Sequence, residues 1–221
     1  MNPKRVTLFA GHYGSGKSNI AVNYALKLAG EGYPVRLADL DIVNPYFRSK
    51  DSETGLRAAG VEVISSEFAN TNVDVPVIPA EAYAMTDDRA AYFVADVGGD
   101  DQGARALGRF AEQVVAEGNY EMFLVINCYR PMTRTAEDVL VMQREIEAAS
   151  KIPFTAIVNN SNLGVATTAE TVLDSVKFAE DCARLTGLPL KMTAAWEDVV
   201  PELSGKIENL LSMKLSNLQI W

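Results

Sequence analysis

The chain has 221 residues, enough for one domain with a sizeable core. Its 29 Asp and Glu outweigh 20 Lys and Arg, a formal charge of −9 that excludes a surface given over to nucleic acid or anionic lipid. One histidine and two separated cysteines exclude a His-rich metal site, a cysteine metal knot and a disulfide framework.

Met1-Asn2-Pro3-Lys4-Arg5 carries no signal or transit pattern and runs into the first apolar segment. Apolar runs predict strands at 6–10, 35–38, 61–64, 92–95, 122–127, 154–158 and 190–194. Helical spacing predicts helices at 17–30, 103–116, 135–149, 168–185 and 203–213. Residues 67–89, with several prolines and little period, read as an extended excursion. Near-continuous apolar strands such as Phe123-Leu124-Val125-Ile126 suit a parallel sheet covered on both faces. The expected fold is α/β: a three-layer, doubly wound, mainly parallel sheet with right-handed crossovers, built from residues 1–221 as one domain. No apolar run approaches bilayer-crossing length, so no membrane contact is expected. Cys128 and Cys182 read as reduced thiols, and the cytoplasm is the expected compartment.

The first strand leads into Gly11-His12-Tyr13-Gly14-Ser15-Gly16-Lys17-Ser18, a complete G-x-x-x-x-G-K-[ST] loop, with Asn19 opening the helix behind it. Glycines let backbone N–H groups crowd around phosphate oxygens, and the helix start adds its positive dipole end. Asp96 ends the run Tyr92-Phe93-Val94-Ala95 and precedes Val97-Gly98-Gly99. An acid there can hold a magnesium-bound water while the Ser18 hydroxyl ligates the ion, and the glycine pair permits a switch-like swing. The competing reading is a strand-ending Asp that caps the next helix.

Asp39-Leu40-Asp41 closes the second strand with both carboxylates on one side. They are candidates to orient an attacking water or complete a metal shell, against a solvated loop start. Tyr46, Phe47 and Arg48 follow, either as a partner-contact patch or as core. In Asn159-Asn160-Ser161-Asn162, Asn159 is the candidate for a base edge, while Asx turns account for the later asparagines. Arg130 and Arg134, after another strand, read either as anion contacts or as surface arginines.

Together these pieces resemble the SIMIBI class of P-loop NTPases, particularly ParA/MinD-like ATPases and cobyrinic acid synthase-type enzymes. That resemblance implies a mainly parallel sheet of about seven strands and Mg-ATP (ATP with Mg2+) as ligand. It assigns Lys17 to the β- and γ-phosphates, Ser18 and Asp96 to magnesium, Asp41 to the hydrolytic water and Asp39 to support of the switch. The family's signature lysine position is occupied here by His12, and Tyr13 stands where a glycine is usual. The Cys-x-x-Cys pair of iron–sulfur carrier relatives is absent.

Ile207, Leu210, Leu211, Lys214, Leu215 and Leu218 form an apolar stripe read as a core-docking last helix, since Lys206 and Lys214 alone make a poor cationic membrane face. The leading expectation is a slowly hydrolysing ATPase switch acting on a protein partner, a homodimer among the candidates. The rival is an ATP-dependent small-molecule ligase or kinase whose Arg130, Arg134 and Asp39–Asp41 loop hold an acceptor. A third reading is a nucleotide-binding module that does not hydrolyse. Guanine selectivity usually needs an Asp after an Asn-Lys pair, which residues 159–162 lack, so ATP is expected over GTP.

Overall fold

A computed structural model describes residues 2–40, 50–64, 83–98 and 101–214. Eight strands form one sheet: β1 (Val6–Ala10), β2 (Val35–Leu40), β3 (Val61–Ile64), β4 (Tyr92–Val97), β5 (Tyr120–Ile126), β6 (Ala156–Asn159), β7 (Leu190–Trp196) and β8 (Leu210–Met213). Their spatial order is β3-β2-β4-β1-β5-β6-β7-β8, and every neighbouring pair is parallel. The helices are α1 (Lys17–Gly30), α2 (Lys50–Ala58), α3 (Ala84–Asp87), α4 (Asp101–Leu107), α5 (Ala111–Glu117), α6 (Ala136–Ser150), α7 (Ala169–Asp174), α8 (Val176–Thr186) and α9 (Val200–Leu203).

Strand side chains alternate between two buried layers, as a sheet covered on both faces requires. On one face Phe9, Leu37, Val94 and Phe123 pack with Ile20, Tyr24 and Leu28 of α1; Phe9 meets Tyr24 edge-on with ring centroids 5.4 Å apart. On the other, Leu8, Ala95, Leu124 and Ile126 pack with Leu107, Val139 and Ile146. The three-layer α/β expectation therefore holds, with eight strands where about seven were expected.

The eighth strand is a correction: the expected helix 203–213 is the short α9 followed by β8. Gly205 (φ 77°) and Asn209 (φ 55°) sit in the left-handed region that stops a helix. Beyond them Leu211 and Met213 are buried while Ser212 is exposed, a period of two. Leu215 and Leu218 lie outside the described residues.

Two expected long helices are each broken. Residues 103–116 divide at a 3-10 turn, Gly108–Phe110, where a Cβ on Gly108 would stand 3.2 Å from the Ala149 carbonyl at the end of α6. Residues 168–185 divide at Ser175, whose hydroxyl donates to the Val172 carbonyl at 2.7 Å and accepts from Asn159 Nδ2 at 2.9 Å. Most of the expected excursion, 67–89, lies outside the described residues; its end holds α3.

Arg5, just before β1, is buried and fastens the start of the sheet. Its guanidinium donates to both Glu117 carboxylate oxygens, to the Met85 carbonyl at 2.7 Å and to the Asp88 carbonyl at 3.0 Å.

Candidate functional site

The chain leaves β1 for β2 on one side and, after β4, returns across β1 to β5 on the other, so β1 lies where the winding reverses. Open α/β sheets open a crevice at that point, beyond the carboxyl ends of the strands. The glycine-rich loop occupies it. A Cβ on Gly11 would lie 2.4 Å from the Val125 carbonyl of β5, so only glycine lets the loop leave the sheet here. Gly16 has φ 87°, and its Cβ position is 2.2 Å from Asn160 Nδ2.

Ser15 N donates to the His12 carbonyl at 3.1 Å, closing the loop. Lys17 is buried, and its Nζ donates to the same carbonyl at 3.3 Å, folding the ammonium back along the loop. Helix α1 begins after Gly16 with no side-chain cap and no acid in its first turn, which leaves its positive end available to an anion. Ser15 Oγ is buried without a hydrogen-bond partner among the described residues. His12 donates its backbone N–H to Met142 Sδ at 3.1 Å, its ring Nδ1 lies 3.3 Å from the Tyr13 carbonyl, and Tyr13 is exposed.

Phe9, Asp96 and Asp39 stand in one row across β1, β4 and β2. Alternation with Val94 and Leu37 puts both carboxylates on the face covered by α1, the helix that Lys17 and Ser18 open. Asp96 is fully buried and Asp39 nearly so. Beyond Asp96 the backbone passes α4 very closely: a Cβ on Gly103 would come within 2.5 Å of Gly98 Cα. Asp41, Gly99, Tyr46, Phe47 and Arg48 lie outside the described residues.

No group of three His, Cys, Asp or Glu gathers among the described residues, which excludes an all-protein metal cage there. A hydroxyl and a buried carboxylate beside a phosphate cradle instead suit magnesium, which takes few protein ligands and completes its shell with water and phosphate oxygens. Ser18 and Asp96 fit that donor set.

The asparagine loop is arranged differently from the sequence expectation. Asn159 is fully buried, and its amide is engaged on both sides: Nδ2 donates to Ser175 Oγ at 2.9 Å and Oδ1 accepts from Ser161 N at 3.1 Å. Asn160 is the residue that meets the phosphate loop, donating from Nδ2 to the Ser15 carbonyl at 2.7 Å, with its Oδ1 buried and without a hydrogen-bond partner among the described residues. That bond joins residues 145 apart in sequence, and no local pattern signals it. Asn162 forms the expected Asx turn, Oδ1 accepting from Gly164 N at 3.0 Å.

Arg130 and Arg134 are separated. The Arg130 side chain lies against Gly14, whereas Arg134 lines a cavity of about 510 Å³ between α6 and α8, with no phosphate-loop residue in its wall. In that wall Asp181 bridges Lys177 and Arg184, and the Arg184 hydrogen bond, then that of Lys177, holds its carboxyl below the usual range.

No protein-family model and no curated protein matches the chain. Solved structures do. FtsY from Thermotoga maritima aligns at 22% identity and a TM-score of 0.60 over 87% of this chain and 62% of its own. FtsY from Mycoplasma mycoides aligns at 18% and 0.55, over 87% and 60%. The signal recognition particle 54 kDa protein of Aeropyrum pernix, solved with GDP, aligns at 22% and 0.55, over 87% and 41%. The chain thus spans about three fifths of the length of the FtsY structures. At these identities the likeness concerns the fold alone, a parallel sheet covered by helices on both faces.

Proposed function

We propose that the chain is a magnesium-dependent nucleoside triphosphatase whose nucleotide state governs a protein partner. The observation that carries this reading is the phosphate cradle: Gly11 against the Val125 carbonyl and Gly16 in the left-handed region against Asn160, with Lys17 at the head of an uncapped helix facing the Asp39–Asp96 row. Loop N–H groups and Lys17 would bind the β- and γ-phosphates, and Ser18 with Asp96 would hold magnesium. Asp41 takes the role of orienting the water, and Asp39 steadies the strand end beside it.

ATP is the proposed nucleotide, because the loop of residues 159–162 offers no carboxylate for the two N–H donors of a guanine edge. GTP is the second reading, favoured by the GDP bound to the Aeropyrum pernix structure. A protein partner is favoured by apolar side chains exposed on three neighbouring loops of the site's rim: Tyr13, Met132, Leu163 and Val165, the last 92% exposed. A second copy of the chain is one form such a partner takes. No helix among the described residues is long and apolar enough to cross a membrane, and the two unpaired cysteines suit the cytoplasm.

Calorimetric titration of ATP, GTP and their non-hydrolysable analogues with Mg2+, read with phosphate release and mass in solution, tests the proposal. Binding by the wild type, lost in Lys17→Ala, is the expected result. If the wild type binds neither nucleotide, or Lys17→Ala matches it in binding and turnover, the proposal fails.

A further inference from the structure

The loop after β5 carries a cation that the reading above leaves unused. Because β5 is the hydrogen-bonded neighbour of β1, residues 127–134 run beside the phosphate loop. Arg130 Nε and Cδ stand 3.7 and 3.8 Å from where a Cβ on Gly14 would be, so the arginine stalk rests on the loop glycine.

The backbone beneath it is pinned. Thr133 Oγ1 donates to the Asn127 carbonyl at 2.7 Å, Tyr129 N donates to Asn127 Oδ1 at 3.0 Å, and Cys128 N donates to Ser161 Oγ at 3.1 Å. Asn127 and Thr133 are both fully buried. Arg130 itself is exposed and pairs with no carboxylate among the described residues, whereas Arg5, Arg36, Arg57 and Arg184 all do. In a chain of formal charge −9, a guanidinium paired with no acid among the described residues and laid on a phosphate loop is placed for an anion.

We infer that Arg130 is a phosphate clamp in cis, gripping the terminal phosphoryl group of a bound nucleoside triphosphate over Gly14. The inference rests on the nucleotide reading and deepens it. A planar guanidinium can bind two oxygens of one phosphate through two parallel N–H donors. In hydrolysis, water forms a bond to the terminal phosphorus as the bond to the bridging oxygen breaks; the nucleoside diphosphate leaves with that electron pair, and the water's protons go to the inorganic phosphate and to solvent. Arg130 keeps all its protons and stabilises the charge spread over the equatorial oxygens. A clamp on the terminal group discriminates triphosphate from diphosphate, which a merely structural arginine does not.

The test is calorimetry of wild type, Arg130→Ala and Arg130→Lys with the Mg2+ complexes of ATP, ADP, GTP and GDP, joined to single-turnover phosphate release. Arg130→Ala should bind the triphosphate about tenfold or more weakly while diphosphate affinity stays within about twofold. Its turnover should fall on the order of a hundredfold, and Arg130→Lys should restore affinity better than rate. Should Arg130→Ala not fold, Arg130→Lys is read on the same triphosphate-to-diphosphate ratio. Unchanged triphosphate affinity and turnover, or an equal loss for both nucleotides, overturns the clamp and leaves the nucleotide reading standing. Failure of the wild type to bind any nucleotide overturns both.

Discussion

The contact between Gly16 and Asn160 yields a double-mutant cycle whose outcome follows from the geometry. Alanine at position 16 must adopt φ near 87°, a left-handed conformation costing about 1–2 kcal/mol. Its Cβ would also stand 2.2 Å from Asn160 Nδ2, so the amide must leave the Ser15 carbonyl. Losing a partner in that buried setting costs about 1–3 kcal/mol, which sets Gly16→Ala at roughly 2–5 kcal/mol. Asn160→Ala breaks the same bond without the backbone penalty and should cost about 1–3 kcal/mol. In the double variant the clash has vanished and the bond is lost only once. The total should therefore fall short of the sum of the single costs by roughly the hydrogen-bond cost, about 1–3 kcal/mol. Urea unfolding of the four proteins without nucleotide, followed by circular dichroism and fluorescence, gives the three differences. Costs that add to within about 0.5 kcal/mol would show that Gly16 and Asn160 do not meet, and would sink the argument for a tether between these loops.

Glu117 supplies a pH prediction: the Arg5 hydrogen bond holds its carboxyl below the usual range, so its contribution is present above the ordinary carboxylate pKa of about 4.3 and is lost as pH falls through the lower folded value. The stability difference between wild type and Glu117→Gln should be flat near neutrality and shrink below about pH 4; a constant difference down to pH 3 contradicts it. Burial, more than its acidic neighbours, pushes the Cys182 thiol up to about 12, so at pH 8 a maleimide or disulfide reagent should label the partly exposed Cys128 and reach Cys182 only after denaturation. Two thiols reacting in the native protein would contradict that placement. For β8, Leu211→Ala and Met213→Ala should each cost about 2–5 kcal/mol, and Ser212→Ala less than about 0.5, in urea unfolding. A comparable cost at all three positions would refute the alternation that defines the strand.

The phosphate loop was legible because its chemistry is contiguous: two glycines, a lysine and a serine at fixed spacing, between an apolar run and a helix. Strands β1, β3, β4 and β5 were legible as short apolar runs bounded by breakers, and α1 by its spacing. The errors came where distance in sequence hides the deciding contact. Leu210, Leu211 and Lys214 satisfy a helical stripe while Leu211 and Met213 satisfy an alternating strand, and pairing with β7 separates the two. Asn159 and Asn160 are equivalent as residue types. Their division of labour depends on which one meets Ser175 and which meets Ser15. Arg5 gave no signal either, since its acid partner Glu117 lies 112 residues away.

The strand order also bears on how the molecule is assembled in time. β1 is made first, yet both its neighbours come from far along the chain, with Val6 opposite Phe93 on one side and Tyr120 on the other. At a synthesis rate of about 5–20 residues per second, β1 waits roughly 5–20 s for its first partner. During that interval α1 covers one face of the segment through Phe9 and Tyr24, while both strand edges and the face carrying Leu8 wait for later partners. The loop that heads the sequence is therefore among the last parts of the site to take shape.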